Sequence, residues 1–248
     1  MSTAKPTNVK IVSTDDFAGW LALQTNLALK GIVGIKAMSE LATVVGNAED
    51  ASHYRNISEM YIRKWEKFGM ARDNTHAKLA YNWYGSWTTL YSLFADAILC
   101  FHPSITGRNS DAGHTDYAHI AEGQAPLQPS DQKELGDTDF IPHHVYTNQS
   151  RWYGLVMQKY GLPLDSRHLY TKSDWEFEAA AVAEKEVRAE ILDRVAKWIN
   201  ETSIDRPLSD LYETEGNGGF PGVYFMARPV VGGHFAFLAL ERACGGQS

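Results

Sequence analysis

Hydrophobic residues recur at spacings of three and four along most of this chain, the pattern of amphipathic helices. The first run extends from Phe17 to Val45 and predicts one long helix, or two helices joined near Gly31 to Gly34. A second run, from Ala51 to Phe68, ends at Gly69. The short gap between the two runs predicts an antiparallel helical hairpin.

Five further segments have helical periodicity, and the first of them follows a capping serine, Ser86. They are residues 87–101, His143–Tyr160, Ser173–Glu184, Val187–Asn200 and Val230–Arg242. The alternation typical of strands appears only at Lys78–Trp83 and Val223–Met226, which are too short for a central sheet. The chain is therefore predicted to be mainly α, with about seven or eight helices in two layers and a cleft formed by loops at one end.

Two segments lack this periodicity. Residues 104–139 are rich in Gly, Pro, Asp and Ser, and we interpret them as a mobile or disordered loop insertion. Residues 1–12 are predicted to be a disordered start. One helical domain over residues 13–242, interrupted by the insertion, accounts for the rest.

Composition and charge exclude several classes of protein. The 248 residues are 44% hydrophobic and 21% charged, which is ordinary for a globular protein. With 23 basic and 30 acidic residues the net charge is −7, and we expect no nucleic-acid partner. No apolar run is long enough to span a membrane, so we expect no membrane association.

Signals of location conflict. The start of the chain lacks the apolar region of a signal peptide, which as written predicts a cytoplasmic protein. Three glycosylation sequons, at Asn56, Asn148 and Asn200, instead hint at secretion. Cys100 and Cys244 are too few for a disulfide framework, and the sequence leaves open whether they pair; Cys100 is expected to be simply buried.

The densest chemistry lies in residues 161–175, where ionisable and aromatic side chains alternate. Charges among aromatic rings are costly to bury unless they pair, which predicts the wall of a polar cleft. Asp165 and Asp174 are candidate catalytic carboxylates, and Arg167, Lys172 and Trp175 are candidate substrate-binding residues. A structural ion-pair network explains the same residues equally well.

Three other segments carry candidate residues. Asp15 and Asp16 precede the first predicted helix, where one can cap it while the other acts as a general acid or base. Glu215, a candidate substrate-binding residue, lies in a glycine-rich turn that lacks the spacing of a phosphate loop. Arg228, before the last predicted helix, is a candidate ligand for the carboxylate of a substrate.

Other catalytic signatures are absent from the sequence. The one Ser-x-x-Lys match, Ser2 to Lys5, lies in the predicted disordered start, and there is no Gly-x-Ser-x-Gly. His143 and His144 lack acidic or cysteine partners at ligand spacing, as do His114 and His119. We therefore predict neither a metal nor a cofactor.

Four long segments, taken in order, carry a family resemblance: STDDFAGWLALQTNLALKGI, THAKLAYNWYGSWTTLYSLFADA, YGLPLDSRHLYTKSDWEF and GFPGVYFMARPVVGGHFAFLAL. Together they resemble the six-helical-hairpin domain of the fungal glutaminase A family. The resemblance implies an α/α toroid like that of several glycosidase families. It also implies a secreted enzyme that hydrolyses L-glutamine to glutamate and ammonia, so an extracellular location is expected from the family.

The leading interpretation is therefore a glutaminase-like hydrolase with a small-molecule substrate. Because the predicted helices are fewer than a six-hairpin ring needs, we expect part of the ring, weak activity and apolar helix faces that favour self-association. Two alternatives stay open: a glycoside hydrolase that cleaves glycans with paired carboxylates, and a fragment that binds its ligand without catalysis.

Overall fold

Helices dominate the computed structural model of this protein, which describes residues 12–15, 17–106, 139–203, 207–219 and 225–244. The helices are α1 Thr25–Val44, α2 Ala48–Gly69, α3 Leu93–Ile98, α4 Pro103–Thr106, α5 His143–Val156, α6 Ser173–Ala181, α7 Lys185–Glu201, the 3-10 helix Pro229–Phe235 and α8 Ala236–Ala243. The strands are β1 Val12–Asp15, β2 Gly19–Ala22, β3 Tyr170–Lys172 and β4 Leu211–Glu213. The prediction of a mainly α fold is confirmed.

The strands form two small antiparallel sheets, β1 with β2 and β3 with β4. Of the two segments expected to alternate, Lys78–Trp83 contributes only a single bridge at Ala80, and Met226 bridges Ser209. Most of the predicted loop insertion and all but the last residue of the predicted disordered start lie outside the described residues.

Helices α1 and α2 form the predicted antiparallel hairpin. The Trp65 indole N–H, near the end of α2, donates to the carbonyl oxygen of Thr25 at the start of α1 over 2.9 Å. Gly69 ends α2 as expected and has a second role, because a Cβ at this position would lie 2.9 Å from the Thr25 methyl carbon. It therefore permits close packing of the two helices in addition to ending α2.

The predicted start of the first helix is wrong. Residues Ser13 to Asp15 lie in β1 and pair with β2, so Asp15 does not cap a helix. Gly19, with φ of +75°, lies where the chain turns into β2, and α1 begins only at Thr25. Leu21 packs on Leu79 and Ala80, and this burial favours a strand over continuation of the helix.

The third predicted helix is shortened to α3, because residues 86–92 form long-range hydrogen bonds instead. The backbone N–H of Thr89 donates to the Leu164 carbonyl oxygen over 2.8 Å, and its hydroxyl donates to the Pro163 carbonyl oxygen over 2.7 Å. The Asn26 side-chain amide donates to the Thr89 carbonyl oxygen over 2.7 Å. These contacts satisfy the buried backbone without a helix.

A disulfide joins Cys100, just after α3, to Cys244 at the end of α8. The expectation that Cys100 is simply a buried thiol is therefore wrong. The two cysteines are 144 residues apart, and periodicity carries no information about a contact of that separation.

Among the helices described here, none combines the length and the apolar character needed to cross a membrane.

Candidate active site

The segment expected to form a cleft wall runs through β3 into the first turn of α6. Pairing of β3 with β4 brings residue 210 beside it, and the Ser173 backbone N–H donates to the Asp210 carbonyl oxygen over 2.8 Å. Asp210, which lies 36 positions after Asp174 in the sequence, thereby contacts the segment that the sequence analysis selected.

Four charged side chains, Lys172, Asp174, Asp210 and Arg228, form what we call the charged cluster. The Lys172 Nζ lies 3.2 Å from Asp174 Oδ2 and 3.4 Å from Asp210 Oδ2. The Arg228 Nε lies 3.2 Å from Asp210 Oδ1. Lys172 and both aspartates are buried, whereas the Arg228 side chain is 29% exposed. Arg228 is thus the member that a ligand can reach.

Opposing effects act on the Asp174 carboxyl. Burial raises its pKa, while Lys172 favours the ionised form. Gly233 packs directly on it, since a Cβ there would lie 2.8 Å from the Asp174 Cβ. The glycines before the last helix were expected to allow close packing, and Gly233 does so.

A second ion pair joins Asp165 to Arg167 in a two-pronged contact. The Arg167 Nε lies 2.9 Å from Asp165 Oδ1, and a terminal guanidinium nitrogen lies 2.7 Å from Oδ2. The other terminal nitrogen donates to the Ala18 carbonyl oxygen over 3.0 Å. This pair therefore secures the β1–β2 turn to the candidate site, and the catalytic role of Asp165 stays a prediction.

Aromatic rings pack beside Lys172 of the charged cluster. Trp175 stacks on Tyr91 with ring centroids 4.1 Å apart, and the Lys172 Nζ lies 4.3 Å from the centroid of Trp175. Phe17, in the β1–β2 turn, lies 5.9 Å from Trp175, centroid to centroid. The fold thus brings the first and third of the four recognised segments together.

Not every predicted residue joins this arrangement. The backbone of Asp15 pairs with Gly19, and Asp16 lies outside the described residues. Glu215 is exposed, and within the described part of the chain no hydrogen bond or ion pair connects it to the charged cluster. Substrate binding by Glu215 stays a prediction.

The sequence analysis missed Asp210 and Glu178. Glu178 lies four residues after Asp174, a spacing that puts both carboxyls on one side of α6. Burial and the charge of Asp174 raise the pKa of Glu178 to about 7. The spacing of Asp174 and Glu178 along α6 could have identified Glu178 from the sequence. No sequence pattern identifies Asp210, because the pairing of β3 with β4 brings it to the site.

His234 meets Ser173 at the edge of the site. The His234 Nε2 lies 2.8 Å from the Ser173 hydroxyl oxygen, a distance at which an imidazole can activate a hydroxyl. Ser173 is completely buried, however, so a substrate cannot reach its oxygen. We infer that this contact holds the 3-10 helix against α6.

A third carboxyl on α6, that of Glu176, lies in the protein interior. Its Oε1 accepts a hydrogen bond from the Leu162 N–H over 2.6 Å, and its Oε2 lies 2.5 Å from the Tyr212 hydroxyl oxygen. That hydroxyl donates its one proton to the Tyr160 carbonyl oxygen over 2.9 Å. A protonated Glu176 therefore completes the chain of hydrogen bonds, consistent with burial raising its pKa to about 8.

The free energy of unfolding is expected to fall as the pH rises from about 4.5 to about 8, the window between the ordinary and the folded pKa of Glu176. The folded state holds this proton more tightly, so its contribution is complete below the window and is lost through it. Each pH unit costs at most about 1.4 kcal/mol. Glu176→Gln, which keeps one donor and one acceptor, is expected to flatten this slope in urea unfolding measured across the pH range.

Glu186→Gln provides the control, because Glu186 is an exposed glutamate of α7. This variant should keep the pH slope of the parent. Identical pH profiles for the parent and Glu176→Gln would show that Glu176 carries no excess proton in the folded state.

Two of the histidines set aside above, His143 and His144, have acidic partners in the structure, whereas His114 and His119 lie outside the described residues. His144 pairs with Glu66, and the side chains of His102, His143 and Asp139 converge. Glu66 comes from a distant part of the chain, but Asp139 lies only four residues before His143, so the statement that His143 lacks an acidic partner at ligand spacing was wrong.

Comparisons with known proteins show which family the chain belongs to. The family described as the glutaminase A six helical-hairpin domain matches residues 2–110 and 131–238. A probable glutaminase of Arthroderma benhamiae is 62% identical over 237 residues, covering 96% of this chain and 26% of that protein. Glutaminase A of Aspergillus oryzae is 41% identical over 232 residues, covering 92% of this chain and 28% of that protein.

The chain thus spans about a quarter of the length of these two relatives. The family match covers most of the chain on both sides of residues 111–130, and the mainly helical fold fits an α/α toroid. The chain belongs to the glutaminase A six-helical-hairpin domain family.

Proposed function

We propose that this chain takes part in the hydrolysis of L-glutamine to glutamate and ammonia. The observation that carries the proposal is the pair of carboxyls on one side of α6, of which Asp174 is held by Lys172 and Glu178 has a pKa of about 7. The names of the two relatives support the substrate class. The proposal carries the activity in the names of those longer proteins over to this chain.

Amide hydrolysis requires a base that activates water and an acid that protonates the leaving nitrogen. At neutral pH, Glu178 is divided between its two protonation states, because its pKa is about 7. It can therefore accept a proton from water and return one to the departing ammonia. In this proposal, Asp174 orients the water or the substrate's α-amino group.

Substrate binding is assigned to the rim of the charged cluster. Arg228 is partly exposed and is positioned by Asp210, so its guanidinium can pair with the α-carboxylate of an amino acid. Trp175, which lies against Lys172 and stacks on Tyr91, provides an apolar wall of the charged cluster. Arg167 contributes indirectly, through its contact with the β1–β2 turn.

The test is ammonia release from L-glutamine by the purified chain and two isosteric variants. Glu178→Gln is expected to lower the rate by about 10²- to 10⁴-fold, the range of a lost acid–base group, and Asp174→Asn is expected to lower it because the orienting carboxylate is lost. Glu186→Gln, a change of the same kind on the exposed face of α7, should retain the parental rate. Equal rates in all four proteins would reject the site assignment.

Two other outcomes point to the alternative functions. Glutamine binding without turnover by the parent would favour a ligand-binding role. Sugar release from a glycan panel, abolished by the same two variants, would favour a glycoside hydrolase. The observation behind the second alternative is that two carboxyls with different environments lie beside Trp175 on α6.

We also propose an extracellular location. The Cys100–Cys244 disulfide supports it, because such bonds persist in oxidising compartments and are rare in the cytosol.

A further inference from the structure

His102, Asp139 and His143 bring three potential metal-ligand atoms together. The His102 Nε2 lies 3.2 Å from the His143 Nδ1 and 3.3 Å from Asp139 Oδ2. All three ligand atoms lie within 4.8 Å of one another. Tetrahedral zinc, with bonds of about 2.0–2.1 Å to nitrogen, places neighbouring ligand atoms about 3.3–3.4 Å apart.

A second layer of contacts orients these groups. The His102 Nδ1 lies 3.5 Å from Asp96 Oδ2, and that oxygen accepts a hydrogen bond from the Tyr146 hydroxyl over 2.7 Å. With the Asp96 carboxyl beside Nδ1, Nε2 is the ring nitrogen that faces His143 and Asp139. The same carboxylate–histidine arrangement lies behind most histidine ligands of metals.

Asp139 is also fixed in place. The Ser104 hydroxyl donates to Asp139 Oδ2 over 2.5 Å, and the Ser104 backbone N–H donates to Oδ1 over 3.2 Å. Metal-binding carboxylates are commonly held by hydrogen bonds of this kind. The contact also joins α4 to the residues that precede α5.

The electrostatics of the cluster favour a cation. The side chains of His102, Asp96 and Asp139 are all 0% exposed, so two carboxylates are buried around one imidazole. Burial of a carboxylate is costly without a compensating positive charge. A cation between the His102 Nε2 and Asp139 Oδ2 would supply this charge.

We propose that His102, His143 and Asp139 bind a divalent transition-metal ion, with zinc as the ion that best fits this donor set and spacing. This proposal replaces the expectation of no metal and is independent of the proposed glutaminase activity. Three protein ligands leave a fourth position for water. The site joins the chain after α3 to the start of α5, and we assign it a structural role.

The test titrates the chelator-treated, tag-free chain with ZnCl₂, following binding by calorimetry and stability by thermal unfolding. The parent is expected to bind one zinc ion saturably and to unfold at a higher temperature when it is bound. Co²⁺ in place of zinc should give the visible absorption of a tetrahedral site. The variants His143→Gln and Asp139→Asn are each expected to weaken zinc binding at least about tenfold and to abolish the thermal shift.

The neighbouring His144→Gln is the matched control, since His144 is a partly exposed imidazole on the same helix. It should bind zinc like the parent. Asp96→Asn tests the positioning role, and we expect about 10- to 100-fold weaker binding with the tetrahedral Co²⁺ spectrum retained.

Two results would overturn the site: no saturable zinc binding by the folded parent, or parental affinity in both His143→Gln and Asp139→Asn. If one of these variants fails to fold, as judged by circular dichroism, the other variant and the parental titration still decide. A loss of affinity in His144→Gln equal to that in His143→Gln would identify a surface site instead.

Discussion

Loss of the Cys100–Cys244 disulfide is expected to lower the free energy of unfolding by about 4–5 kcal/mol. The bond closes a loop of 144 residues, and the entropy that a cross-link removes from the unfolded chain grows with the logarithm of loop length. The bond also joins the end of α8 to the chain just after α3. These two helices pack against each other and contribute Leu240 and Ala97 to the same hydrophobic core. Urea unfolding of the Cys100→Ser, Cys244→Ser double variant measures the loss.

Reduction supplies an independent check of the same quantity. Dithiothreitol should lower the stability of the parent by a similar amount and leave the double variant unchanged. A loss below about 1 kcal/mol in both experiments would contradict the prediction, because it would mean that the disulfide removes little conformational entropy from the unfolded chain.

The long amphipathic helices were predictable because their pattern is local. The apolar residues of α2 and α7 recur on one face, and buried residues such as Ile62, Trp65 and Ile191 follow that spacing. Residues 17–23 have spacings that also fit a helix, yet pairing with β1 makes them part of a hairpin. The prediction that the third helix begins at residue 87 is wrong for a related reason, because Thr89 in this segment forms hydrogen bonds with residues 163 and 164.

The candidate site was predictable only where its chemistry is local. The contact between Lys172 and Asp174 follows from their proximity in the sequence, and so does the pair of Asp165 with Arg167. Asp210 arrives through strand pairing, and the pKa of Glu178 depends on burial, which no sequence spacing records. The convergence of His102 with Asp139 likewise depends on how the chain returns before α5.

Lys172→Met is the second substitution with a large expected effect, a loss of about 3–5 kcal/mol in the free energy of unfolding. Lys172 is the positive charge between the carboxylates of Asp174 and Asp210. Methionine preserves much of the side-chain volume but removes this charge. Two buried carboxylates then remain, of which Asp210 keeps its ion pair with Arg228.

Lys159→Met is the matched control. The Lys159 Nζ lies 3.0 Å from Glu201, but both side chains are about 40% exposed, and solvent screens surface pairs of this kind so that they contribute little to stability. A loss in Lys172→Met no larger than in Lys159→Met would contradict the charged cluster as a stabilising feature. Adding Asp174→Asn and Asp210→Asn to Lys172→Met should recover stability, because no unpaired buried carboxylate remains.

The pH dependence separates lost charge pairing from lost packing. Burial already raises the pKa of Asp174, and removal of Lys172 takes away an effect that lowers it. A carboxyl whose folded pKa is above its unfolded pKa stabilises the fold below the unfolded value and loses that contribution as the pH rises. The difference in unfolding free energy between the parent and Lys172→Met should therefore be larger at pH 8 than at pH 4. A packing defect alone would give the same difference at both pH values.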